Sequence, residues 1–104
     1  MQFVIIADHS PESCPTSNSK IRELLAQSAR EMPGLAARLD LKIVTINVLG
    51  PDHRIVAVVE ADEIERVRSF AMESRLVQWN TVHVHASWTI EEALANASRL
   101  PALF

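Results

Sequence analysis

The order of the apolar runs constrains this chain most. Four short segments rich in β-branched residues alternate with two stretches of helical period, in the order strand, helix, strand, strand, helix, strand. Residues 3–7, Phe-Val-Ile-Ile-Ala, form a continuous apolar run, as expected of a central strand covered on both faces. Residues 9–18 hold two prolines and several Ser, Thr and Asn residues, and read as a loop. A helix then starts with Ser17 or Ser19 as N-cap and runs to about Met32. Ile21, Leu24, Leu25, Ala29 and Met32 form its inward stripe, with Ser28 at the edge. Pro33-Gly34 should end it, leaving residues 35–39 for a short extra turn.

Residues 41–49 alternate between Val44, Ile46 and Val48 on one side and Thr45 and Asn47 on the other. Gly50-Pro51-Asp52-His53 makes a tight connection to residues 54–60, and the two strands read as an antiparallel hairpin. Asp62 and Glu65 have the spacing of a capping box, opening a helix that turns Ile64, Val67, Phe70 and Ala71 inward. Residues 81–86 form the fourth strand. Thr89 and Glu92 repeat the capping spacing before a last short helix with Ile90, Ala93, Leu94 and Ala97 on one side, ended by Pro101.

The sum is one α+β domain over residues 1–104 with ferredoxin-like βαββαβ topology and a C-terminal helix. Both main helices must cover the same face of a four-stranded antiparallel sheet. The opposite face, assigned to Phe3, Ile5, Thr45, Asn47, His83 and His85, then needs its own cover. A second copy is the expected one, giving a homodimer built as a dimeric α/β barrel with a cavity between the sheets. A chain of 104 residues buries only about two-thirds of its unfolded surface, which also favours a partner.

Composition removes several functional classes. A net charge of −3 with scattered Lys and Arg points to neither nucleic acid nor an anionic membrane as partner. No run approaches the roughly 18 apolar residues of a membrane span. The apolar start is too short for a signal peptide and lacks its basic flank. The single cysteine, Cys14, forbids an internal disulfide; together these features give a cytoplasmic expectation. The third strand, Ile55-Val56-Ala57-Val58-Val59, lacks the stacking aromatics of RNA-recognition domains. The first loop has neither the paired cysteines of metal chaperones nor the Gly and Arg of a phosphate cradle.

The opening His9-Ser10-Pro11-Glu12-Ser13-Cys14-Pro15 resembles a His-x-Pro-Glu-x-Cys-Pro motif of small uncharacterised bacterial proteins in the dimeric α/β-barrel superfamily. Val58-Val59-Glu60-Ala61-Asp62, Trp79, Val84 and the stretch from Trp88 to Ala93 have a similar cadence. The resemblance implies the fold, dimerisation and a cavity on the sheet. It carries no agreed activity, and the catalytic motifs of the superfamily's monooxygenases, cyclases and lactone isomerases do not map onto this sequence.

His83 and His85 lie two apart on a strand and so share a face. With the first strand taken as parallel to the third, His9, Glu60 and His83 should meet at one sheet edge, with Cys14 folding back over them. His9, Cys14, His83 and His85 form a competent ligand set for zinc, copper or iron. Cys14, a few residues before a helix N-terminus, also suits a reactive thiolate with His9 beside it. Glu60 is a candidate general base, whereas His53, in the hairpin, should be exposed. Three readings stay open: a metal- or thiol-dependent enzyme acting on a small molecule, a cofactor-free monooxygenase, isomerase or cyclase, and a non-catalytic ligand-binding module.

Overall fold

The computed structural model describes residues 1–102. Its strands are β1 (Gln2–Asp8), β2 (Lys42–Leu49), β3 (Arg54–Glu60) and β4 (Thr81–Ser87), and its α-helices are α1 (Ser19–Arg38), α2 (Ile64–Glu73) and α3 (Ile90–Ala97). The strands form one sheet in the order β2-β3-β1-β4, with every neighbouring pair antiparallel. The ferredoxin-like α+β fold with a C-terminal helix expected from the sequence is therefore present. No helix among the described residues is long and apolar enough to cross a membrane.

One expectation about direction is corrected. β1 runs antiparallel to β3, pairing Gln2 with Glu60 and Asp8 with Arg54. The hairpin reverses β3 relative to β2, so the strand inserted beside β1 must oppose it. Glu60 therefore lies at the far end of the sheet from His9, next to Met1 and Gln2.

The two faces are also reassigned. Phe3, Ile5 and Ala7 are buried and face the helices. Phe3 and Ile5 pack in the main core with Met32, Leu35, Val59, Val67 and Phe70. The register then places Val4, Ile6, Val56 and Val58 on the open face, flanked by Thr45 and Asn47 on β2 and by His83 and His85 on β4. A continuously apolar strand carries no alternation from which to choose its core face, so sequence alone could not decide between the two. A smaller core of Ala7, Ile55, Leu76 and Trp79 closes the end of the sheet where β1 finishes.

α1 does not stop at Pro33 but continues to Arg38. A proline inside a helix costs about 3 kcal/mol. Leu35 and Ala36, just beyond it, are both buried, and Leu39 packs on the same core. Burial of one leucine contributes about 1.5–3 kcal/mol, so the apolar stripe offsets the proline. Ser28, placed at the stripe's edge by the sequence, is buried, whereas Ala29 is exposed. Asn18 caps α1, its side chain accepting from the Ile21 N–H at 3.1 Å.

The capping box expected at Asp62 is absent: Glu63 is the N-cap of α2 and makes no side-chain cap bond. Arg66 ties that helix start to the end of α1 instead, donating to the Leu39 carbonyl at 3.0 Å. The box at Thr89 and Glu92 is complete, yet α3 buries no residue, and Ile90 and Leu94 are 77% and 65% exposed.

Phe70 is fully buried at the centre of the main core. Phe70→Ala should lower unfolding free energy by about 3–5 kcal/mol in urea titrations followed by circular dichroism.

Candidate functional site

Past the paired ends of β1 and β3 the ladder makes one more bond: the His9 N–H donates to the His53 carbonyl at 3.0 Å. The two histidines thus face each other across the end of the sheet, with ring centroids 5.7 Å apart in an edge-on arrangement. His53 occupies the left-handed region, φ 54°, at the close of the hairpin turn. That conformation is uncommon for a residue with a side chain, and histidine is among the more tolerant types.

The loop after β1 returns a thiol to the same place. It folds as a 3-10 turn at Pro11–Ser13 and is knitted by its own polar groups. The Cys14 carbonyl accepts from the N–H groups of Ser17 and Asn18 at 2.9 and 2.8 Å. The Ser17 hydroxyl donates to the Pro11 carbonyl, and Arg22 donates to the carbonyls of Pro15 and Thr16. The prolines and polar residues that mark this stretch as a loop are the groups that make it rigid. Cys14 is buried and holds a free thiol.

His9, Cys14 and His53 thereby form one group, with Nδ1 or Nε2 of each ring and the Cys14 Sγ all within 4.8 Å of one another. His53 is partly buried and belongs to this group, correcting the expectation that it would be exposed. His83 and His85 do not belong to it. They are exposed on β4, with ring centroids 6.4 Å apart. Glu60 is exposed at the opposite end of the sheet. Of the residues expected to meet, the fold unites His9 and Cys14 and separates Glu60, His83 and His85 from them.

Asn80, a residue the sequence reading passed over, fixes the chemistry of His9. Its amide nitrogen donates to the Leu76 carbonyl at 3.1 Å, which leaves its oxygen as the acceptor for His9 Nδ1 at 2.9 Å. His9 Nδ1 therefore carries a proton, so that in the neutral ring Nε2 is the nitrogen with the lone pair. That Nε2 is buried and has no hydrogen-bond partner among the described residues. Trp79 packs against the ring, centroids 5.0 Å apart, and holds its orientation. Asn80 follows the turn before β4, a position without periodic or motif signal. Only the meeting of the ends of β1 and β4 marks it.

The thiol of Cys14 is lowered to about 6. The Thr16 hydroxyl, 3.0 Å from Sγ, is the main cause, followed by the Thr16 backbone N–H and by His53. Burial opposes these, and His9 adds a smaller lowering. Donation from Thr16 stabilises the thiolate more than the thiol. Above about pH 6 the sulfur is therefore mainly anionic, the form in which a thiol can attack an electrophile or ligate a metal.

The group opens into a cleft of about 570 Å³, lined on its other sides by Pro15, Leu25, Val48, Leu49, Pro51 and Ile55. This cleft lies at the end of the sheet, between the first loop and the β2–β3 hairpin. The open sheet face, where the cavity was expected, is a separate surface.

The Cys14 thiol should react with iodoacetamide along a titration curve with its midpoint near pH 6. Thr16→Val should move that midpoint upward, because the largest thiolate-stabilising donor is lost. In comparisons with known proteins, no family model and no curated sequence matches this chain.

Proposed function

We propose that His9, Cys14 and His53 hold a divalent transition metal (zinc, copper or iron), and that a small molecule binds or reacts in the adjoining cleft. The orphaned, tautomer-fixed Nε2 of His9 beside a thiol and a second imidazole is the observation that carries this reading. Around a shared zinc, nitrogen and sulfur ligands lie roughly 3.5 Å apart, so side-chain rotation of about an ångström would close the group. A neutral imidazole and a low-pKa thiolate are the protonation states a metal requires. The Asn80 bond to the outer nitrogen of His9 is the supporting contact that ligating histidines ordinarily have. Three protein ligands leave a further position toward the cleft, where a metal supplies Lewis acidity or an activated water. A reducing cytoplasm suits a free thiol of this kind.

A metal-free reading also has a specific observation behind it. Cys14, His9 and Asn80 stand in the order nucleophile, base and orienting amide, as in cysteine hydrolases. Here His9 Nε2 would take the thiol proton and return it to a leaving group. Both readings place the reaction at Cys14, and metal loading separates them.

Protein purified without chelator or affinity histidines should carry one metal per chain and, with cobalt, show a thiolate-to-metal charge-transfer band. Cys14→Ser, His9→Gln and His53→Gln should abolish the band, and Asn80→Ala should weaken affinity roughly 10- to 100-fold. His83→Gln and His85→Gln should change neither. Substoichiometric metal, together with alkylation of Cys14 that zinc does not slow, would leave the thiol reading standing alone.

We also infer that a second copy of the chain covers the open sheet face. The central stripe Val4, Ile6, Val56 and Val58 is only partly buried, and the apolar side of α3 is left exposed by the described residues. An eight-residue helix is marginal without packing, so a partner surface would stabilise it. Light scattering should give twice the chain mass, and Ile6→Lys should return it to that of a monomer.

A further inference from the structure

The cleft beside the thiol is selective by the character of its walls. Among the described residues lining it there is no Asp, Glu, Lys or Arg. Of the nearby cations, Arg54 is paired with Asp8 at 2.5 Å, and Arg22 is held by the Pro15 and Thr16 carbonyls. A charged group lying among the apolar walls, away from the thiol and the histidines, would lose its hydration and find no counter-charge.

The polar lining is confined to one place. His9, Cys14 and His53 form the compact group already described, and Thr16 joins it through its contact with Cys14 Sγ. The remaining walls are apolar side chains and Gly50. Val48 and Leu49 lie on the edge strand β2 and are 66% and 40% exposed, so they offer apolar surface that an occupant of the cleft would take from water. A volume of about 570 Å³ is within the range of sites for small organic molecules.

We propose that the cleft takes a small molecule with an uncharged apolar body and one polar or electrophilic head, the head meeting the His9–Cys14–His53 group and the body lying against Leu25, Val48, Leu49 and Ile55. This rests on that group being the reacting centre and adds the class of molecule it acts on.

N-alkylmaleimides of increasing chain length, with ω-carboxyalkyl maleimides of matched length, provide the test. The Cys14 thiolate adds across the maleimide double bond: a sulfur–carbon bond forms, the π bond breaks, and the neighbouring carbon takes a proton. Rates on metal-free protein, each divided by the rate with a free small thiol, should rise by up to roughly three- to fourfold per added methylene until the cleft is filled. The carboxylate series should lose most of that gain. Val48→Asp, on an exposed strand position and with its fold confirmed by circular dichroism, should flatten the alkyl series. Rates independent of chain length, or equal for the charged and uncharged series, would overturn the ligand class. Rates that rise with chain length but are not slowed by stoichiometric zinc would uphold the ligand class and remove the metal reading.

Discussion

The antiparallel pairing of β1 with β3 is the constraint on which the rest depends. It runs from Gln2–Glu60 to Asp8–Arg54 and then adds the bond from His9 to the His53 carbonyl. That last bond joins the start of the first loop to the end of the hairpin, two segments far apart in sequence. A register slip of one residue would turn Phe3, Ile5 and Ala7 out of the core and separate the two histidines at the same stroke. Burial of the core and assembly of the site are therefore specified by the same ladder.

Around that pairing the site is built on rigid parts. His9 is held by the sheet, by the Asn80 amide and by the Trp79 ring; Cys14 is held by a loop whose carbonyls and hydroxyls bond one another. Groups fixed in this way meet a ligand with little ordering left to do. The buried Nε2 of His9, without a partner among the described residues, and the lowered Cys14 thiol stand together beside the cleft. The smaller core beneath, where Ile55, Leu76 and Trp79 meet, supports both halves of the site and is distinct from the larger core that holds the helices to the sheet.

Local signals in the chain were informative where the interactions are local. Element order, the polar loop at residues 9–18 and the Thr89 capping box all follow from neighbours in sequence. Signals that compete with long-range packing were misleading. Pro33 reads as a helix end, yet Leu35 and Ala36 carry α1 past it, and the Asp62 spacing gives no box: Glu63 takes the N-cap position and Glu65 pairs with Arg68. The two histidines spaced like ligands, His83 and His85, stand apart from the thiol. His53, which looked like a hairpin residue in solvent, stands beside it.

The sequence by itself determined that this is a ferredoxin-like α+β domain and that Cys14 and His9 are residues with chemistry available to them. Residue type, hydrophobic period and turn chemistry act over a few positions and can be read one segment at a time. Tertiary structure alone decided which face of β1 is buried, that Glu60 lies far from the site, and that His53 and Asn80 complete it. Those outcomes depend on strand direction and register between segments dozens of residues apart, which no local pattern encodes.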